Sequence, residues 1–145
     1  MEHLGGILVL VSFALTAATA ALAVHGAVAR AARSVAASGW AIRATAWVNG
    51  ALAFVLSHAI VTHDFSNKYV ASYSDSGMPV FYLLTAFWGG EKGALLFWVV
   101  TLSILAAVYA RQHREDGTLR FGWVNASLAL SLLFFDVLMV FASSP

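Results

Sequence analysis

Two histidines, His25 and His58, stand inside long apolar runs. Imidazoles placed so could ligate a haem iron from both sides. Depth argues against it. If the first run crosses a bilayer and the second returns, His25 lies about 30 Å from the face where the first run began, by helix rise. His58 lies only about 9 Å from that same face, so the two differ in depth by roughly 20 Å. One iron cannot take both. His63 stands at the membrane edge, where water reaches it. No His-x-x-x-His spacing occurs, so no metal site is expected. Asp136 is a carboxylate within an apolar run, a costly position that usually faces protein or water. Along its own helix it reaches nearly the depth of His58. An intramembrane His58–Asp136 pair is therefore expected. The alternatives are a polar group on a partner chain, or water near the interface. With no cysteine, disulfides, thiolate metal sites and dithiol chemistry by this chain are excluded.

These residues need membrane helices to position them. The chain has 145 residues, 61% hydrophobic and 10% charged, and a soluble domain of this size could not hide so much apolar surface. Runs of about 18–22 apolar residues recur, the length of a bilayer span. An all-α, polytopic membrane protein is expected, a single membrane domain over 1–145. Its four transmembrane helices fall at about 5–28, 44–63, 92–110 and 121–142. The stretch Pro79–Ala110 would be roughly 48 Å long as one helix, against a hydrocarbon core of about 30 Å. It is therefore divided into a short interfacial helix at about 79–88 on the outer face, a bend at Gly89-Gly90, and the third span. Pro79 suits a helix start. The first run is rich in Ala, Gly, Ser and Thr, which allow close helix contact in lipid. Trp40 and Trp47 bracket the start of the second, as at a water–lipid boundary.

Charge placement gives orientation. The connection after the first run holds Arg30, Arg33 and Arg43, and that after the third holds Arg111, Arg114 and Arg120. The central loop holds only Lys68 and Lys92, offset by Asp64, Asp75 and Glu91. The positive-inside rule puts the arginine-bearing loops in the cytoplasm, with both termini and the 64–91 loop outside. Glu2 near the start, and no arginine before Arg30, do not read as a cleaved signal peptide. There is no basic cluster for nucleic acid.

The central loop carries the most specific pattern. It reads Asp64-Phe65-Ser66-Asn67-Lys68-Tyr69-Val70-Ala71, then Ser72, Ser74, Met78-Pro79, Tyr82, Ala86, and Trp88-Gly89-Gly90-Glu91-Lys92-Gly93-Ala94-Leu95-Leu96-Phe97-Trp98. This resembles the CcmF family of cytochrome c-type biogenesis proteins, also called haem lyase subunits, whose run is close to DFSVxYVAxxSNxxLPxxYxxxAxWGGHEGSLLLW. The final Ser143-Ser144-Pro145 resembles, more weakly, the family's Ser-Asn-Pro. Two departures stand out. Glu91-Lys92 replaces the family's His-Glu. The family's tryptophan-rich external haem-binding segment, with its flanking histidines, lies beyond the matched region. The resemblance is to the N-terminal portion only, as if from a split protein.

The resemblance implies an N-terminal membrane fragment of a split haem lyase, a non-catalytic part of the complex. It would shape the external haem and apocytochrome c site and dock a C-terminal haem lyase chain. Haem would be held mainly by that partner and none by this chain alone. Other cytochrome c maturation subunits and membrane lipid would be neighbours. The place would be a bacterial inner membrane or an organellar inner membrane. Haem- or partner-facing candidates are Asp64, Phe65, Tyr69, Tyr82, Trp88, Gly89, Gly90 and Trp98. Trp88-Gly89-Gly90 also reads as an interfacial aromatic beside a helix break, and Asp64, Lys68, Tyr69 and Tyr73 as a solvated loop. A non-catalytic four-helix accessory subunit of a respiratory membrane complex is the alternative function.

Overall fold

The computed structural model describes residues 2–64, 66, 68–75, 77–113 and 118–143. Of residues 2, 3, 68, 80, 84, 86, 118, 142 and 143 it describes the backbone alone. Phe65, the Gly117 turn and Ser144-Pro145 fall outside the described residues.

The chain is helical throughout its described elements: α1 (Glu2–Val28), α2 (Ala32–Val61), α3 (Lys68–Tyr73), α4 (Val80–Gly89), α5 (Glu91–Gln112) and α6 (Thr118–Ser143). Four helices are long and apolar enough to cross a membrane: α1 from Leu4, α2, α5, and α6 over Leu119–Phe141. They form a ring in which α1 packs on α2 and α6, and α5 packs on the same two. Helices α2 and α6 also touch across the diagonal.

The second span begins earlier than expected. Helix α2 starts at Ala32 rather than near Ala44 and runs about 45 Å by helix rise. Arg33, Ser34, Ser38, Gly39 and Arg43 make its first part look like a polar connection. Yet Val35, Ser38, Ile42, Thr45, Asn49 and Leu52 are buried at helical spacing. Trp40 and Trp47 therefore lie on this helix, at 65% and 82% exposure, with the Arg43 guanidinium 3.7 Å above the Trp40 ring. The α1–α2 connection shrinks to a tight turn. Ala31 N–H donates to Gly26 O at 3.0 Å, and Arg30 takes a left-handed φ of 52°. This is a Schellman ending without its usual glycine. Helix α2 ends the same way: Asp64 N–H donates to Ala59 O at 2.9 Å and His63 N–H to Ile60 O at 3.2 Å, with His63 at φ 52°.

The bundle interior alternates apolar clusters with polar levels. Val35, Ile42, Ala106, Ala110, Phe121 and Leu132 form one cluster. Leu52, Leu96, Val99 and Met139 form a second, toward the α3–α4 end. At one polar level Asn125 Nδ2 donates to Ser38 Oγ at 3.2 Å. At another, Ser12 Oγ lies 2.6 Å from Asn49 Oδ1 and 3.2 Å from Asp136 Oδ1. Ser38 to Asn49 and Asn125 to Asp136 are the same number of residues apart, so α2 and α6 run parallel and in register. In lipid, where burial alone does not drive helices together, such polar contacts fix which faces meet.

Candidate functional site

A helical cap closes one end of the bundle. The expected loop after α2 contains a helix, α3, and this corrects the reading of that stretch as irregular. A helix of six residues is marginal alone. It forms because one face has somewhere to go. Val70 is fully buried with Ala59, Ile60 and Leu83, and Leu56, Met78 and Phe87 pack around them. The Tyr69 and Tyr73 rings pack tilted against each other, 4.8 Å between centroids, and lie over Gly90.

Tyr69 ties the cap together. Its hydroxyl donates to Phe87 O at 3.0 Å and accepts from Gly90 N–H at 3.1 Å. These are the orphan groups created where α4 stops and α5 starts. Burial pushes the Tyr69 phenol above its ordinary range, against the opposing hydrogen bond from Gly90. Helix α4 starts after Pro79, which sits at the N-cap, and the break falls at Gly90 with extended backbone at φ −109° and ψ 161°. Any residue adopts that backbone, so glycine is needed there for space. A Cβ on Gly90 would meet the Tyr73 ring at 2.5 Å and the Tyr69 ring at 2.9 Å. A Cβ on Gly93 would run into the Phe87 carbonyl oxygen and the Tyr69 hydroxyl. Gly89, by contrast, would meet only the Tyr73 ring at 4.0 Å. Gly93 was not singled out from sequence. Its signal is the spacing Gly90-x-x-Gly93, which puts both on one face of the α5 start.

The remaining candidates divide between cap and surface. Asp64 lies beyond the end of α2. It accepts the Ser66 hydroxyl and the Ser66 N–H, the latter at 3.2 Å, and the hydroxyl holds its carboxyl below the usual range. Tyr82 is 58% exposed beside Phe81, and Trp98 is 56% exposed beside Phe97. Trp88, 52% exposed, lies 6.3 Å from Phe97. Between α2, α4 and α5 an open apolar groove of about 250 Å³ is lined by Ser57, Ile60, Val61, Leu83, Phe87, Trp88 and Phe97. Trp88 and Leu83 thus join a surface with Ser57 of α2, but Tyr82, Trp98 and Asp64 do not line it.

The expected His58–Asp136 pair is not formed. Asp136 is fully buried and its hydrogen-bond partner is Ser12 of α1. His58 is exposed, with its ring 6.2 Å from that of Phe54. Depth was not the obstacle. His58 stands nine residues after Asn49 on α2. At about 100° per residue that is half a turn away, on the opposite face. His25 and His58 sit near opposite ends of the antiparallel pair α1 and α2, on the order of 35 Å apart by helix rise. Among the described residues no group of three or more His, Asp or Glu could hold a metal ion.

Fold and site together define a polytopic α-helical membrane protein: four spans with a tyrosine-clamped helical cap at one end. Its homologues narrow the class. The cytochrome c-type biogenesis protein NrfE of Haemophilus influenzae is 33% identical over 91 residues, covering 63% of this chain and 14% of that protein. CcmF of Escherichia coli is 33% identical over 94 residues, with coverage of 63% and 14%. Probable NrfE of Escherichia coli is 38% identical over 95 residues, with coverage of 65% and 17%. A solved structure of the cytochrome c haem lyase CcmF superposes with a TM-score of 0.90 at 23% identity, over 99% of this chain and 24% of that one. No family model matches. The chain is thus a homologue of the CcmF/NrfE cytochrome c-type biogenesis proteins over about 62% of its length, with the CcmF fold. It spans only a small part of each relative's length, 14% of the first.

Proposed function

We propose that this chain is the membrane fragment of a split haem lyase for cytochrome c biogenesis. It shapes one wall of the external haem and apocytochrome c site and docks the C-terminal haem lyase chain, which carries the haem-binding segment. The observation behind this reading is the fold. All four spans and the cap match about a quarter of a solved haem lyase, at 99% of this chain and 24% of that one. The separation of His25 and His58, near opposite ends of α1 and α2, supports haem being held mainly by the partner.

In this reading the cap faces outward from a bacterial or organellar inner membrane, and α4 lies at the interface. Tyr82, Trp88 and Trp98 present apolar area to a partner or to haem, with Asp64 at the cap's entry; Phe65, a candidate from sequence, lies outside the described residues. Tyr69, Gly90 and Gly93 hold the α4–α5 corner that aims them, while Gly89 is not required for space. The groove beside Trp88, at about 250 Å³, falls below the usual ligand pocket of about 300–1,000 Å³. It suits one edge of a flat apolar ring or one side chain of a partner. Other cytochrome c maturation subunits would complete the assembly.

Purification in mild detergent from its own cells tests this. The expected result is co-purification of a chain carrying the tryptophan-rich segment, with Soret absorbance in the complex and none from this chain alone. Co-purification with respiratory subunits and no haem lyase remainder would overturn the lyase reading. A one-to-one Soret band from the partner-free chain would overturn partner-held haem.

A further inference from the structure

Three spans bring polar side chains to one level of the bundle interior: Ser12 and Thr16 from α1, Asn49 from α2 and Asp136 from α6, each 0% exposed. Ser12 Oγ lies 2.6 Å from Asn49 Oδ1 and 3.2 Å from Asp136 Oδ1. A serine hydroxyl carries a single hydrogen. The shorter contact uses it, because an amide oxygen can only accept. The contact between Ser12 and Asp136 then joins two oxygens with no hydrogen between them, unless the carboxyl brings one. Thr16 Oγ1 is buried beside the same carboxyl, and Asn49 Nδ2 is buried with no partner in the bundle. No cation faces the carboxyl from the described residues of the helices around it. On α1, His25 is exposed and more than three turns away. On α2, Arg43 stacks on Trp40 and His58 points outward. Helix α5 has no charged residue between Lys92 and Arg111, and on α6 Arg120 lies more than four turns away. An unpaired charge in such a place is costly.

We propose that Ser12, Asn49 and Asp136, with Thr16 beside them, form a buried proton-binding site. The proton sits on Asp136 and is donated to Ser12 Oγ, whose own hydrogen goes to Asn49 Oδ1. Loss of that proton to a base leaves a carboxylate that needs a donor. The donor is Asn49 Nδ2, once its amide turns over: Nδ2–H donates to Ser12, and Ser12 donates to Asp136. The two hydrogen-bond orders differ by one proton and no electrons. Both keep α1, α2 and α6 joined, so the site can change occupancy without the helices separating. The proposal does not depend on the haem-lyase reading.

Infrared difference spectroscopy on the full chain in lipid nanodiscs, together with any partner that co-purifies, reads the carboxyl directly. The expected wild-type spectrum has a protonated-carboxyl C=O stretch that moves down on exchange into D2O. That band is lost in Asp136→Asn and shifted in Ser12→Ala, which keeps the acid but removes the group it donates to. Three results would overturn the proposal: no such band in the wild type, a band that survives Asp136→Asn, or one that appears only when sodium is withdrawn. The last would make the occupant a metal cation. If Asp136→Asn does not fold, the D2O and Ser12→Ala shifts decide, and absence of both rejects the site.

Discussion

Gly93→Ala tests whether the cap depends on close approach at the α4–α5 corner. The added methyl would overlap the Phe87 carbonyl oxygen, a main-chain atom that cannot rotate away, and the Tyr69 hydroxyl. Relief requires α4 to shift or α3 to lift. Lifting α3 breaks the Tyr69 bonds to Phe87 O and Gly90 N–H. Each is worth about 1 kcal/mol net, and forced overpacking adds about 1–3 kcal/mol. The expected loss of local stability is about 3 kcal/mol, which corresponds to roughly 100-fold faster opening at 1.4 kcal/mol per tenfold. Hydrogen exchange over residues 68–93 measures it, with α1 and α6 amides as the unaffected reference. Gly89→Ala is the control. Its methyl meets only a ring carbon at 4.0 Å and lies within α4, so it should be neutral or stabilising by about 0.5–1 kcal/mol. Equal protection in the two variants would refute the argument that space dictates glycine here.

Tyr69→Phe should open the cap by about 2 kcal/mol, from the loss of two hydrogen bonds, visible as faster exchange in α3 and α4. Because burial raises the Tyr69 phenol, its contribution to cap stability is full below the unfolded value of about 10 and declines as pH rises through the higher folded value. Exchange measured against pH should show alkaline loosening that Tyr69→Phe abolishes. Arg30→Gly relieves a left-handed residue at the α1 ending and should raise thermal stability by about 1 kcal/mol, read as a higher Tm in detergent. Arg33→Cys should be labelled only from the cytoplasmic side by an impermeant maleimide, and labelling from outside would reverse the proposed orientation.

How much of this was legible varies with how far the causes lie from one another in the chain. Four long apolar helices follow from local hydropathy, whereas the start of α2 does not. There the buried face Val35, Ser38, Ile42 and Thr45 is small and partly polar, so it registers weakly on hydropathy, although its spacing is helical. A bend at Gly89-Gly90 was legible because paired glycines weaken a helix locally. The space that requires glycine at Gly90 was not, because it is set by Tyr69 and Tyr73 of α3. Helix α3 was not legible either, since its stability comes from burial of Val70 against α2 and Leu83 and from the Tyr69 bonds to Phe87 and Gly90, contacts that no local pattern announces. The depth of Asp136 could be counted along its helix, but its partner could not. Choosing Ser12 over His58 requires the rotation of three helices about their axes, which the depth argument did not include.

The two polar levels explain why this bundle can carry a cap at all. A cap resting on α2 and on the start of α5 transmits any sliding of one helix past the other to the Tyr69 clamp. In lipid, an apolar interior tolerates such sliding because Ala and Leu faces are interchangeable. Here Ser38–Asn125 and Asn49–Ser12–Asp136 each join α2 to the helices opposite. A slip of α6 along α2 by one turn, about 5.4 Å, would break both levels together and leave buried polar atoms unpaired. Register is thereby held at two points along the bundle, and α5, with Ser103 as its buried polar residue, is set by packing against helices already fixed. The aromatic surface at Trp88 is then aimed by a chain of dependence: polar levels to α2 and α6, these to α5, and α5 to the Gly90–Gly93 corner.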